Sequence, residues 1–152
     1  MKLVDVLIDI ASKFNKEGIT WAVGGSLLLY FYDILEEPKD IDIVIAPEDK
    51  EAVFQILKSN GEELATKEVS NYKTGVFGKF NIDGIEVDII GDFYIKVSNG
   101  YYLHPFSSKD LEIVERNNQK IYLDSLENWL NTYEAMGDPK KRVELIKQFL
   151  EE

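Results

Sequence analysis

The stretch that most constrains this chain runs from Trp21 to Ile45. It contains a short apolar run that ends in Gly24-Gly25-Ser26, a second apolar segment, and then the acidic residues Asp40 and Asp42 within Lys39–Ile45. The pattern predicts a strand, a glycine turn, a helix and a second strand. A glycine turn that leads into a helix presents backbone N–H groups to a phosphate. Residues two apart on a strand share a face, so we expect both carboxylates to lie side by side. Together these features predict metal-assisted chemistry on a nucleotide.

Composition limits the kind of metal and the kind of partner. The chain has no cysteine and a single histidine, His104, which excludes thiolate and multi-histidine metal sites. Any metal would therefore be a hard cation held by oxygen ligands, Mg²⁺ or Mn²⁺. The formal net charge of −11 weighs against an extended duplex nucleic acid as partner. A magnesium–nucleotide remains compatible, because the ion brings its own positive charge. A protein, a small molecule or an RNA end remains open as the acceptor.

Length and hydropathy predict one globular domain over residues 1–152. The chain is 45% hydrophobic and 30% charged, which is typical of a folded protein. No apolar run approaches the roughly 20 residues that span a bilayer. The first ten residues include Asp5 and Asp9 and do not resemble a secretory signal. We therefore expect a cytoplasmic protein without a membrane segment.

Periodicity and turn residues predict the elements in chain order. The first half is predicted to contain a helix over residues 4–14, a strand over 19–23, a helix over 27–32 with Ser26 as its N-cap, a strand over 40–45, and a helix from Pro47 to Asn60. Residues 62–73 give no clear pattern. The second half is predicted to contain a hairpin over 76–90 that turns at Asp83-Gly84, a hairpin over 93–103, a helix over 108–115, a strand over 120–123, a helix opened by Asp124 and Glu127 as a capping box, and a last helix after Asp138-Pro139. This order indicates an α+β fold with a mixed sheet.

A third acidic residue, Asp88, lies in the apolar strand Ile85–Ile90. Glu86 shares its face, but Glu86 lies nearer the turn, so we prefer Asp88 as the residue that points into the site. Three carboxylates on neighbouring strands would hold two cations in the arrangement used for phosphoryl transfer. The alternative is a solvated strand face. The apolar flanks weaken that alternative, because buried carboxylates require partners or metals.

The complete pattern resembles the nucleotidyltransferase superfamily with the polymerase-β-like fold, and in particular its small single-domain prokaryotic members, which are often found in toxin–antitoxin systems. The resemblance rests on Gly-Gly-Ser, a spacer of thirteen residues, Asp40-Ile-Asp42 in an apolar strand, and the later Asp88. It covers residues 19–90 or so. It implies a nucleotidyltransferase-like mixed sheet with flanking helices, followed by a C-terminal helical segment over about residues 124–152.

The resemblance also implies an activity and a set of site residues. The activity is transfer of a nucleoside monophosphate from a magnesium (or manganese) nucleoside triphosphate to an acceptor hydroxyl. The implied catalytic and metal-binding residues are Asp40, Asp42 and Asp88, and the nucleotide-binding residues are Gly24, Gly25 and Ser26.

Other interpretations remain open at this level. Glu36 and Pro38 stand where relatives often carry Arg and Thr, which keeps a catalytically weak binding or regulatory protein, such as a toxin–antitoxin component, as an alternative. A plain interaction domain with solvated acids is a third possibility. A homodimer or a partner protein is compatible with each. We expect His104 to be structural and Lys140-Lys141-Arg142 to form a solvated helical turn.

Overall fold

The computed structural model describes residues 2–67 and 72–152. These residues form an α+β fold with a mixed sheet, as predicted. The helices are α1 (Lys2–Lys16), α2 (Gly25–Phe31), α3 (Lys50–Asn60), α4 (Leu126–Ala135) and α5 (Val143–Glu151). The strands are β1 (Trp21–Gly24), β2 (Ile41–Ile45), β3 (Glu62–Leu64), β4 (Tyr72–Ile82), β5 (Ile85–Val97), β6 (Gly100–Leu103), β7 (Glu112–Arg116) and β8 (Gln119–Leu123). Residues 68–71, within the stretch that gave no clear pattern, lie outside the described residues.

The sheet is mixed because two of its pairings are parallel. Its strand order is β3-β4-β5-β2-β1-β8-β7, and β6 pairs with the outer half of β5. The pairs β2–β5 and β1–β8 are parallel, and the other pairs are antiparallel. Strands β1 and β2 therefore lie near the middle of the sheet. The glycines and acids of the stretch from Trp21 to Ile45 lie in or next to these two strands.

Helix α1 shows how the apolar pattern produces the core. Leu3, Leu7, Ile10 and Phe14 recur on one face and are buried, and Gly18, with φ +67°, ends the segment in a conformation that favours glycine. The helix packs against β8 and α3. Helix α4 contacts both α2 and α5. None of the described helices is both long and apolar enough to cross a membrane.

The predicted hairpin at Asp83-Gly84 is confirmed, and both turn residues have positive φ, at 53° and 86°. Strand β5 of this hairpin is longer than predicted and continues to Val97. The segment 93–97 is therefore the far end of β5, where it pairs with β6, and is not a separate strand.

The predicted helix over residues 108–115 is wrong. Only Ser108–Asp110 forms a short 3₁₀ turn, and Glu112–Arg116 is strand β7, which pairs with β8. The two strands are joined at Asn117 and Asn118, whose φ values of 50° and 64° are those of a tight hairpin turn. This Asn-Asn pair favours the left-handed region and is the local signal for the hairpin.

Candidate active site

One transverse row of the sheet brings two of the predicted acids together. Asp42 on β2 is the register partner of Asp88 on β5, and on its other side it is the partner of Gly24 at the end of β1. Asp88 is in turn the partner of Lys79 on β4. Side chains of directly paired residues project from the same face of a sheet. Lys79, Asp88, Asp42 and Gly24 therefore form one row across four neighbouring strands.

Gly24 and Gly25 lie in close contact with side chains at the end of the row. Gly25 has φ +58°, and a Cβ built on it would overlap the carboxylate of Asp42. A Cβ on Gly24 would overlap the indole ring of Trp129. Both positions thus require a close backbone approach that only glycine permits. Helix α2 begins at Gly25, with Gly24 at the N-cap position, so the prediction that Ser26 is the N-cap is wrong. Ser26 lies in the first turn of α2, next to Gly25, and is partly buried.

Burial and mutual repulsion make Asp42 and Asp88 reluctant to ionise. The pKa of Asp42 is raised to about 6, first by burial and then by the negative charge of Asp40, while Lys140 and Arg142 act in the opposite direction. The pKa of Asp88 is raised to about 7, first by burial and then by the charge of Asp42, while Lys79 opposes the rise. A pair of this kind carries excess negative charge at neutral pH. A divalent cation would neutralise that charge.

The raised pKa values predict how stability changes with pH in chelator-treated protein. Because the folded pair binds protons more tightly than the unfolded chain, its favourable contribution is present below about pH 4 and is lost as pH rises through 6 and 7. From pH 5 to pH 8 we expect the free energy of unfolding to fall by on the order of 3 kcal/mol more in the native protein than in the Asp42→Asn, Asp88→Asn double variant. Urea denaturation in EDTA at several pH values measures this. Parallel pH profiles for the two proteins would contradict it.

Asp40 lies beside this row but outside it. It immediately precedes β2, which begins at Ile41, so it does not pair within the sheet. Its negative charge nevertheless contributes to the raised pKa of Asp42. The roles of Asp40, Asp42 and Asp88 in catalysis and metal binding, and those of Gly24, Gly25 and Ser26 in nucleotide binding, stay predictions.

The side chains fit a hard cation at the Asp42–Asp88 pair. The Oδ1 atom of Asp88 is buried and has no hydrogen-bond partner among the described residues. Such an atom is costly unless a ligand binds it, and carboxylate oxygens are the ligands that Mg²⁺ and Mn²⁺ prefer. Across residues 2–67 and 72–152, no three acidic or histidine side chains already stand in a metal-binding arrangement. The pair is therefore a partial site that needs further oxygen ligands.

Sequence reasoning missed Lys79, the cation of the row. Its Nζ lies 3.3 Å from Glu86 Oε2 and 3.7 Å from Asp88 Oδ2. The turn at Asp83-Gly84 pairs Ile82 with Ile85, and counting outward from that pair along the hairpin puts Lys79 opposite Asp88. The signal was therefore present in the predicted hairpin.

The single histidine belongs to a buried network behind the glycine turn. His104 Nε2 lies 2.8 Å from Asp124 Oδ2, and His104 Nδ1 lies 2.5 Å from Thr132 Oγ1. The indole of Trp129 donates to the same Asp124 oxygen at 2.9 Å. Asp124 is thus a structural acceptor. The N-cap of α4 is Ser125, whose Oγ accepts from the Asn128 N–H, so the prediction of a capping box formed by Asp124 and Glu127 is wrong. The network holds the ring of Trp129 over Gly24, and His104 is structural in this sense.

The predicted solvated turn at residues 140–142 describes only part of that segment. Lys140 and Lys141 are exposed, whereas Arg142 is partly buried and donates a hydrogen bond to Tyr133 Oη at 3.3 Å. Tyr133 packs on Trp129 with ring centres 5.6 Å apart. The segment precedes α5, and Asp138 Oδ1 accepts hydrogen bonds from the backbone N–H groups of Arg142 and Val143. The Arg142 side chain therefore belongs to the α4–α5 corner on the Trp129 side of the site.

Comparison with solved structures shows that this is the fold of nucleotidyltransferases. A candidate nucleotidyltransferase from Thermotoga maritima is 27% identical, with a TM-score of 0.77 over 99% of this chain and 94% of that one. The adenylyltransferase ANT(2″)-Ia, solved in complex with adenylyl-2″-tobramycin, is 14% identical, with a TM-score of 0.68 over 98% and 88% of the two chains. The lincosamide antibiotic adenylyltransferase LnuA, solved with lincomycin bound, is 15% identical, with a TM-score of 0.61 over 97% and 96%. The chain itself belongs to the aminoglycoside-2″-adenylyltransferase family, whose sequence profile matches residues 6–144. No curated protein sequence matches it.

Proposed function

We propose that this protein transfers a nucleoside monophosphate, in the first instance AMP, from a magnesium–nucleoside triphosphate to a hydroxyl group of a small-molecule acceptor. The observation that carries the proposal is the register pair Asp42–Asp88, which sets two carboxylates side by side next to the Gly24-Gly25 turn. Membership of the adenylyltransferase family supports the choice of ATP and of a small acceptor. The net charge of −11 also favours a small acceptor over a long nucleic acid.

In this proposal each part of the row has a separate task. Asp42 and Asp88 would hold the cation: the Oδ2 atom of Asp42 lies beside Gly25, and Oδ1 of Asp88 has no hydrogen-bond partner among the described residues. Asp40 adds a third carboxylate immediately before the first residue of β2. The backbone of Gly24 and Gly25 and the hydroxyl of Ser26 would approach the triphosphate at the start of α2. The missing side chains of the two glycines leave room for Trp129 and Asp42 to pack there. When bound, Mg²⁺ supplies Lewis-acid polarisation of the phosphate oxygens and neutralises charge that develops in the transfer.

The chemistry requires a group that accepts the proton of the acceptor hydroxyl. The acceptor oxygen forms a bond to the α-phosphorus as the bond from that phosphorus to the bridging oxygen breaks, and pyrophosphate leaves with that electron pair. Asp88 receives the proton in this scheme, because its carboxylate lies in the row directly beside Asp42 and a positioned carboxylate can act as a general base. The row then performs two tasks with one pair of side chains, metal binding and proton transfer.

A second candidate function is a nucleotidyltransferase-like binding or regulatory protein without turnover, such as a toxin–antitoxin component. One observation favours it: Lys79 already contacts the Asp88 carboxylate that the enzyme would use. Such a protein would bind a triphosphate and transfer nothing.

The experiment separates the two candidates in two stages. Thermal shift with ATP, GTP, CTP and UTP, each with Mg²⁺, tests binding, and Asp42→Asn is the matched variant that should lose the response. Incubation with α-labelled ATP and separate small-molecule, protein and RNA fractions then tests transfer. Label in the small-molecule fraction, with release of pyrophosphate, supports the enzyme proposal. Binding without label in any fraction favours the second candidate, and no response to any triphosphate contradicts both.

A further inference from the structure

The feature that the proposed reaction leaves unexplained is the position of Lys79. It stands in the same transverse row as the two carboxylates, directly opposite Asp88. Its ammonium group lies 3.7 Å from Asp88 Oδ2 and 3.3 Å from Glu86 Oε2. The ring of Phe77 lies 5.9 Å from the same ammonium. Lys79 is thus built into the site by the pairing of β4 and β5.

Its surroundings distinguish it from the surface ion pairs. The side chain of Lys79 is 31% exposed and that of Asp88 is 18% exposed, whereas the carboxylates paired with Lys13, Lys58 and Lys147 are 41–60% exposed. A partly buried pair is screened less by water and salt, so its electrostatic effect is larger. The two oxygens of Asp88 consequently differ: Oδ2 faces a fixed cation, and Oδ1 is buried without a hydrogen-bond partner among the described residues.

We infer that Lys79 is the resting counter-ion of Asp88 and that it keeps the bare site a weak binder of divalent cations, so that the metal enters together with the nucleotide. The inference rests on the proposed function. A fixed positive charge beside Asp88 repels an incoming cation, whereas a triphosphate brings negative charge that offsets this repulsion. The partial metal site formed by the described carboxylates agrees with such an arrangement.

The test is Mn²⁺ binding to the bare protein, measured by electron paramagnetic resonance of the free ion without nucleotide. Lys79→Met should bind Mn²⁺ about tenfold more tightly than the native protein, because a unit positive charge 3.7 Å from Asp88 Oδ2 is removed. Lys79→Arg, which keeps the charge, should stay near the native value. Lys73→Met is the matched control on the same strand, since it removes one positive charge that lies over the Tyr101 ring, and it should leave Mn²⁺ affinity within about twofold of the native value.

Each result decides the inference. Equal or weaker Mn²⁺ binding by Lys79→Met overturns it, and so does an equal gain in Lys73→Met, which would reflect net charge alone. Lys79→Gln provides a second neutral variant if the methionine variant does not fold. The proposed function is tested separately by Mg-ATP binding and transfer in the native protein. Native transfer combined with an unchanged Lys79→Met affinity overturns only the role of Lys79.

Discussion

Replacing Asp42 by asparagine should lower kcat/KM for nucleotidyl transfer by about 10³-fold or more, because a metal-binding carboxylate at a phosphoryl-transfer centre contributes several kcal/mol to the transition state. Asp42 is the residue where the row and the glycine turn meet: it pairs with Asp88 and Gly24 and touches Gly25. The asparagine is nearly isosteric and neutral, so the fold should be retained. Stability without metal should rise at pH 8, because one of two repelling charges is removed. Steady-state transfer assays and urea denaturation measure the two effects.

Asp92→Asn is the matched control for that substitution. Asp92 is on β5 with Asp88, is exposed, and has φ 48°, a conformation that asparagine adopts readily. Its replacement should change kcat/KM by less than about twofold, since surface substitutions away from special features have small effects. Loss of less than tenfold in Asp42→Asn would remove Asp42 from the catalytic site and with it the proposed mechanism.

Gly25→Ala should disrupt the site and destabilise the fold at the same time. An alanine at φ +58° costs about 1–2 kcal/mol from backbone strain alone. Its Cβ would also overlap the Asp42 carboxylate, and relief of such an overlap adds about 1–3 kcal/mol. We expect a total of roughly 3 kcal/mol in the free energy of unfolding and loss of the thermal shift with Mg-ATP.

Gly18→Ala separates the two contributions to that loss. Gly18 has φ +67°, and nothing lies within 4 Å of the position of its Cβ. Its replacement therefore carries the backbone cost without the overlap, and nucleotide binding should be unchanged. If Gly25→Ala destabilises no more than Gly18→Ala and still binds Mg-ATP, the close approach of Gly25 to Asp42 has no functional consequence.

The parts of the fold that sequence could predict are those with local signals. The Asp83-Gly84 pair between two apolar runs predicts its hairpin, because Asp-Gly is a preferred sequence for the two central residues of a tight hairpin turn. The alternation around Asp42 and around Asp88 predicts two strands with an acid on each. The glycine pair before Leu27 predicts the strand-to-helix turn. Each of these depends on residues within a few positions of one another, and the structure has each of them.

What sequence could not supply is the side-by-side placement of distant elements. The parallel pairing of β2 with β5 places Asp42 beside Asp88. No local sequence pattern predicts the register of that pairing. The buried Asp124 resembled a helix cap, because an acid three residues before Glu127 is the usual capping pattern. Its actual acceptor role depends on His104 and Trp129, which tertiary packing brings to it. The strand β7 was missed because short, exposed edge strands carry little apolar alternation.

The transverse row has a consequence for how the protein acquires its site. Strands β1, β2, β4 and β5 each contribute one member, and Trp129 of α4 covers the end of the row. Lys79 and Asp88 meet through a local hairpin, whereas the Asp42–Asp88 and Gly24–Trp129 contacts join parts of the chain that are far apart in sequence. Closing such long loops is slow compared with forming local turns. The carboxylate pair therefore exists only after β2 has paired with β5. A fragment that ends before α4 lacks the ring that packs on Gly24. Under the proposed function, we therefore expect metal and nucleotide binding to require the chain through α4.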